Sequence, residues 1–172
     1  WFKNFSRTLK KAKPLEEFGG KVKSSLVETV KDTDIIFTML TDDNAVEKVL
    51  GNKDFLINLK SSSTVIDMSS TKPKNALKYG RLLKEKNINF LDAPVSGGTI
   101  GAEQGSLAIM VGGNQKVYDS VLDILKIMGN PTLVGPIGSG QVSKLANQII
   151  VGVTIGAVAE AITLCEKAGV DG

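Results

Sequence analysis

The stretch "NINFLDAPVSGG", residues 87–98, decides the fold, because a short apolar segment stops at Pro94 and opens into a serine and two glycines. The part over 87–93 is typical of a buried β-strand bounded by turn residues. The Ser96-Gly97-Gly98 opening has two interpretations. It is either a bare tight turn or a loop whose backbone amides meet a ligand too closely for a Cβ to fit.

Four further runs of the same kind flank this stretch and are predicted as strands: 34–40, 63–69, 106–113 and 131–135. Polar stretches with helical spacing lie around them, at 8–18, 25–32, 42–50, 72–86 and 114–128. The last has Asn114 as its predicted N-cap and Gly129 as its predicted C-terminal cap. This alternation predicts an α/β fold with a Rossmann-like, mostly parallel sheet and helices on both faces.

Residues 138–168 break the alternation and predict one long helix that follows the sheet. Its segment 149–165 is apolar nearly all round, so it fits either a short transmembrane span or a buried helix. Glu160 lies inside that segment, and Lys144 and Asn147 come just before it, which favours the buried helix over a membrane anchor. The small residues Gly152 and Gly156 suit close packing, including packing against a second subunit.

The composition of the chain excludes several kinds of chemistry. Its 172 residues are 42% hydrophobic and 23% charged, with a net charge of +3. No histidine is present and Cys165 is the only cysteine, which excludes Ser-His-Asp and Cys-His catalysis, His-ligated zinc and disulfide frameworks. Lysine, carboxylate and tyrosine remain for proton transfer. The group Lys10, Lys11 and Lys13 is interpreted as a solvated helix face rather than a nucleic-acid patch. The lone cysteine fits a small buried side chain in a reducing, cytoplasmic compartment.

The candidate site lies where strands end, because open parallel sheets bind ligands beyond the carboxyl ends of their strands. The segment "GPIGSGQVSKLANQ", 135–148, lacks the third glycine of the dinucleotide fingerprint and is no Walker A motif. Behind it, Lys144, Asn147 and Gln148 share one helix face, either as a solvated patch or as a site. Partial burial and the positive helix end would lower the pKa of Lys144 and suit it to proton transfer. The hydroxyl and amides of Ser96–Gly98 would receive a carboxylate.

These motifs, "FLDAPVSGG", "GSLAIMVGG" and a lysine followed by "LANQ", together resemble the β-hydroxyacid dehydrogenases. That family includes 3-hydroxyisobutyrate dehydrogenase, tartronate semialdehyde reductase and the glyoxylate/succinic semialdehyde reductases. The resemblance implies that Ser96, Gly97 and Gly98 bind the substrate carboxylate. It implies that Lys144 is the general acid/base and that Asn147, with Gln148, orients the substrate.

The same resemblance implies that NADP or NAD exchanges a hydride with the substrate. The triplet Ser6-Arg7-Thr8 resembles the end of the family's second strand, where Arg7 and Thr8 would contact the cofactor. Arg7 favours NADP, although an arginine also stacks on adenine. The predicted cofactor groove is lined by residues at or just after the ends of two predicted strands: Met39, Leu40, Ser70 and Thr71.

The resemblance also implies parts that the sequence lacks, so we expect truncation at both ends relative to the family. Residues 1–137 would form the dinucleotide-binding domain without its first strand and glycine turn. Residues 138–172 would form a long interdomain helix that leads into an absent all-helical domain. Without the glycine turn the pyrophosphate has no helix N-terminus to bind, so we expect this chain alone to bind the cofactor poorly.

The expected function is an NAD(P)-dependent oxidoreductase that interconverts a small β-hydroxy acid and its semialdehyde. The expected partners are a small carboxylic acid and further copies of the chain in a dimer or tetramer, with no nucleic acid and no membrane. One alternative is a non-catalytic, dehydrogenase-like interaction module, which would have no evident need for Lys144. The other is a 6-phosphogluconate dehydrogenase-like enzyme, but that branch usually has histidine and asparagine after the lysine, whereas this chain has Ala146, Asn147 and Gln148 there and no histidine.

Overall fold

The computed structural model describes residues 2–6 and 8–172. Its strands are β1 (Lys3–Asn4), β2 (Lys21–Val22), β3 (Ile35–Thr38), β4 (Thr64–Asp67), β5 (Asn89–Asp92), β6 (Val95–Ser96), β7 (Leu107–Gly112) and β8 (Gly129–Gly135). Its helices are α1 (Leu9–Ala12), continued by a 3-10 turn over Lys13–Phe18, α2 (Leu26–Val30), α3 (Asp43–Leu50), α4 (Lys53–Ile57), α5 (Pro73–Lys84), α6 (Gly98–Glu103), α7 (Gln115–Met128) and α8 (Ser139–Lys167). All five predicted strands and the long helix are therefore present.

Six strands form the main sheet in the order β3-β4-β5-β7-β6, with β8 on the other side of β7. Strands β3, β4 and β5 are parallel, and β8 is parallel to β7, but β7 runs antiparallel to both β5 and β6. The prediction of a mostly parallel sheet is thus correct for each half, and the sheet as a whole is mixed. Residues 97–106 connect β6 to β7 and are too few for a parallel crossover, so the chain reverses instead. Strands β1 and β2 form a separate parallel pair.

Alternate residues of the central strands point to opposite faces of the sheet, and each face has its own core. On one face Val65 and Phe90 pack with Val46 and Tyr79 from α3 and α5. On the other face strand residues pack with α7, in a cluster of Ile66, Leu91, Ile109, Val121 and Leu125. The predicted cover of helices on both faces is confirmed.

The helix α7 begins and ends where the sequence predicts. The Asn114 side chain accepts hydrogen bonds from the amides of Lys116 and Val117, as an N-cap does. Gly129 follows α7 directly and opens β8. A Cβ at Gly129 would lie 2.0 Å from the carbonyl oxygen of Leu107, so β8 can pair this closely with β7 only because residue 129 is glycine.

The long helix α8 contacts β5, β7, β8 and α5 near its start and then projects beyond the sheet. Every residue from Ile149 to Gly172 is exposed except Cys165, which is half-buried. The prediction that the apolar segment is enclosed, and Cys165 with it, is therefore wrong within the described chain. Among the described residues no element extends along this part of α8 to cover it. By length and apolar composition alone, α8 is also the one helix of the described residues that could cross a membrane.

Candidate active site

The Ser96-Gly97-Gly98 loop lies at the end of an interrupted strand. Strands β5 and β6 both pair with β7, Asp92 opposite Gly112 and Ser96 opposite Ala108, with the break at Ala93 and Pro94. The first half of β7 therefore extends beyond the end of β5, where it pairs with β6 on this side and with β8 on the other. Together β6, α6 and this half of β7 form a unit, residues 95–109, called here the β6–β7 arm. The loop lies on this arm.

Both glycines of the loop adopt backbone conformations that side chains rarely reach, with φ of +136° at Gly97 and +64° at Gly98. A Cβ at Gly98 would have no neighbour within 4 Å, so the space beside it is open. The glycines thus serve the turn into α6, and they also leave the backbone of the loop accessible.

The loop faces an open cleft of about 540 Å³, here the first cleft. Two polar side chains of α8, Lys144 and Gln148, line it together with the loop. The remaining lining residues are Met39, Val95, Thr99, Ala102 and Leu107. The structure therefore brings the predicted lysine and the predicted serine-glycine loop to one cavity.

A second cleft of about 240 Å³ lies beside the first, at the ends of β3 and β4. It is lined by Asp43, Ser70, Thr71, Lys72, Gln141, Lys144, Leu145 and Gln148. Lys144 and Gln148 line both clefts and so stand between them.

Asn147 belongs to neither cleft in the described chain and instead connects the helix to the loop. Its Nδ2 donates to Ser96 Oγ at 3.3 Å and to Gln148 Oε1 at 3.2 Å. Because Ser96 Oγ accepts this bond, its own hydrogen remains available for a ligand. Of the two residues predicted to orient a substrate, Gln148 lines the cavities and Asn147 holds Ser96.

Lys144 is half-buried, and this burial lowers the pKa of its amine. The expected contribution of the helix dipole is small, since Lys144 is the sixth residue of α8 and the dipole acts within the first turn. The pKa of Lys144 is therefore shifted in the direction that the sequence predicts, and desolvation is the cause.

A buried hydrogen-bond network lies under the clefts, where the register places Thr38, Asp67 and Asp92 side by side at the strand ends. Asp67 accepts a hydrogen bond from Thr38 Oγ1 at 2.8 Å and one from the amide of Ser69 at 3.2 Å. Burial raises the pKa of Asp67, and these hydrogen bonds partly oppose the shift. Leu40 joins the network through its amide, which donates to Ser69 Oγ at 2.9 Å.

Asp92 binds the start of α8. Its two carboxylate oxygens accept hydrogen bonds from the amides of Gly138, at 2.7 Å, and Gln141, at 2.9 Å. The side chain is fully buried, and burial raises the pKa of Asp92 while the two amides act to lower it. A carboxylate on the first amides of a helix is favourable, so Asp92 caps α8 from another element.

Three of the residues predicted to bind a cofactor lie on the clefts: Met39 on the first, and Ser70 and Thr71 on the second. Leu40 packs against the core and is on the lining of neither. Thr8 is exposed just before α1 and is on the lining of neither. Arg7 lies outside the described residues.

The sequence interpretation missed Asp92 and Gln141, as well as Val95, Ala102 and Leu107 on the lining of the first cleft. Asp92 had one usable signal, an acidic residue at the end of an otherwise apolar strand, where a carboxylate needs partners. For Gln141 the sequence offers no such signal.

Two family profiles match the chain. The one described as the NAD binding domain of 6-phosphogluconate dehydrogenase matches residues 3–151. The one described as NAD-binding of NADP-dependent 3-hydroxyisobutyrate dehydrogenase matches residues 138–172.

Individual proteins agree with these profiles. Over 151 residues the chain is 44% identical to a 2-hydroxy-3-oxopropionate reductase of Escherichia coli, covering 84% of the chain and 52% of the relative. Over 169 residues it is 39% identical to an oxidoreductase of Bacillus subtilis, covering 97% of the chain and 59% of the relative. A structure of Mycobacterium tuberculosis 3-hydroxyisobutyrate dehydrogenase with L-serine superposes with a TM-score of 0.92 at 30% identity, over 98% of this chain and 60% of that one. The chain thus spans little more than half the length of these proteins.

Proposed function

Since the chain belongs to the β-hydroxyacid dehydrogenase family, whose members use NAD(P), we propose that the full-length protein is an oxidoreductase of small β-hydroxy acids and their semialdehydes. The observation that carries the proposal is the first cleft, where one lysine and the serine-glycine loop line the same cavity. The Escherichia coli relative, named for a three-carbon semialdehyde that carries a carboxylate, supports this substrate class.

The residues at the ends of β3 and β4 fit the nicotinamide end of the cofactor. Met39 is 58% exposed and offers an apolar surface beside Lys144, as a flat ring requires. Ser70 and Thr71 offer hydroxyl groups on the adjoining second cleft, as a ribose requires. When bound, NAD(P) supplies or accepts the hydride.

In the proposed mechanism the serine-glycine loop holds the substrate carboxylate, through the Ser96 hydroxyl and the accessible amides of Gly97 and Gly98. The reacting oxygen then lies toward α8. Lys144 donates a proton to that oxygen in reduction and removes it in oxidation. Gln148 orients the same oxygen, and Asn147 keeps the Ser96 hydroxyl directed at the carboxylate.

The proposed proton transfer predicts opposite pH profiles for the two directions. Oxidation needs the neutral amine of Lys144, so its kcat/KM is expected to rise as pH increases through the pKa of this residue. Reduction needs the ammonium form, so its kcat/KM is expected to fall over the same interval. Because burial lowers the Lys144 pKa, both midpoints should lie below the ordinary lysine value. Profiles measured in both directions test this, and profiles that change in the same sense would contradict it.

A panel of substrates tests the proposed activity. We expect the full-length protein to oxidise or form reduced nicotinamide, followed by absorbance, with 2-hydroxy-3-oxopropionate, succinic semialdehyde or 3-hydroxyisobutyrate, and not with 6-phosphogluconate. Each substrate is assayed with NADP and with NAD, which also determines the cofactor preference. Turnover of 6-phosphogluconate alone would support the sugar-phosphate alternative. No turnover of any substrate with either cofactor would support the non-catalytic module.

A homo-oligomer and a cytoplasmic location stay predictions.

A further inference from the structure

We propose that Gln141 is a positioning residue that holds Lys144 in place relative to the loop of residues 69–71, so that the two clefts keep a fixed geometry. The inference rests on the proposed acid/base role of Lys144. It concerns a side chain that touches neither the proposed acid-binding loop nor the reacting oxygen.

Gln141 is 1% exposed, and both ends of its side-chain amide are bonded to the 69–71 loop. Its Oε1 accepts from the amide of Thr71 at 2.9 Å, and its Nε2 donates to the carbonyl of Ser69 at 2.8 Å. Its own backbone amide donates to Asp92. One residue of α8 is therefore connected to the ends of both β4 and β5.

The start of α8 packs so closely on the sheet that a shift of the helix would also break the hydrogen bonds of Gln141. A Cβ at Gly140 would lie 2.3 Å from the carbonyl oxygen of Met110 and 2.7 Å from that of Asp92, so the helix starts directly on the strand ends. Two residues three apart are neighbours on a helix surface, and Gln141 and Lys144 have this spacing. The position that Gln141 takes is therefore passed to Lys144 through a single rigid turn.

The functional consequence follows from where Lys144 stands. Its amine must serve an oxygen in the first cleft, while the ring that exchanges the hydride would lie against Met39 and its ribose against Ser70 and Thr71. A misplacement of about 1 Å between reacting groups lowers rates by roughly 100-fold. The Gln141 amide fixes the distance between the two sides by bonding directly to the 69–71 loop.

The test compares Gln141→Met with wild type in the full-length protein. Methionine has similar length and no amide, so the variant loses both side-chain bonds and keeps most of the volume. We expect kcat to fall roughly 10- to 100-fold with a smaller change in the KM of the acid. We also expect the pKa of Lys144 to rise toward the ordinary lysine value. That pKa is measured by NMR of ¹³C-dimethylated lysines, with the signal assigned through Lys144→Arg.

The matched control is Tyr118→Phe, which removes one partly buried hydrogen bond, from Tyr118 to the carbonyl of Pro131, between residues that line neither cleft. It is expected to lower thermal stability and leave kcat and the Lys144 pKa unchanged. If Gln141→Met does not fold, Gln141→Asn replaces it, with a shorter neutral amide and the same expected directions. Loss of stability with unchanged kcat and unchanged Lys144 pKa would overturn the inference. If the wild-type protein has no activity, the proposed function fails, while the NMR titration still decides the role of Gln141.

Discussion

Replacing Lys144 by alanine is expected to lower kcat of the full-length protein by about 10²- to 10⁴-fold, the range that general acid/base catalysis contributes. Among the described residues that line the first cleft, Lys144 is the only one with an acidic or basic side chain. Ser96 and Thr99 offer only hydroxyls, so no neighbour can replace its proton transfer. Because Lys144 is only half-buried, the fold is expected to remain.

Steady-state kinetics and circular dichroism on the purified variant check this expectation. Lys116→Ala provides the matched control, since Lys116 is an exposed lysine of α7 away from both clefts. Ordinary turnover by Lys144→Ala would reject the assigned role. An equal loss in both variants would point to a general effect of removing lysines.

Replacing Asp92 by alanine is expected to lower the free energy of unfolding by about 3 kcal/mol or more, since each hydrogen bond to a charged group contributes about 1.5 to 3 kcal/mol. Within the described residues, the Asp92 carboxylate is the only acceptor shown for the amide of Gly138, and the substitution removes it. The buried amide of Gln141 loses its Asp92 acceptor as well. The carboxylate also caps the 29-residue helix α8, so its loss is expected to loosen the first turn and reduce activity as well.

Urea denaturation of the full-length protein measures this change, with Asp34→Ala as the control. Asp34 is an exposed aspartate whose partner is Lys60 at the surface, and such pairs contribute little. A midpoint for Asp92→Ala that matches the control would show that α8 is held in place by packing alone.

The elements that were predicted correctly are those that depend on local pattern. The strands at 35–38 and 64–67 are apolar runs between turns, and Asn114 caps α7 through atoms two and three residues away. The reversal of β7 depends on how the chain packs after Ser96, which no periodicity reports. The short helix α6 was missed for a related reason, because its six residues include Gly98 and Gly101 and have no amphipathic pattern.

The residues of the candidate site divide in the same way, into those that the local sequence marks and those that only the folded chain brings together. Lys144 and the serine-glycine loop were found because residue type and spacing mark them. The contacts of Asp92 and Gln141 join residues 49 and 70 positions apart, and only the folded chain brings them together. The prediction that α8 is enclosed is wrong within the described residues, because an apolar sequence indicates what a helix tends to bury, while the neighbouring elements determine whether it is buried.

The residues of the β6–β7 arm shape the first cleft, and a different set of residues supports Lys144. Thr99, Ala102 and Leu107 belong to the arm, whereas Lys144 depends on Gln141, Asp92 and the strand ends. Under the proposed function, a single substitution at the exposed Thr99 or Ala102 is therefore expected to change the size or polarity of the acid that binds and to leave Lys144 in place.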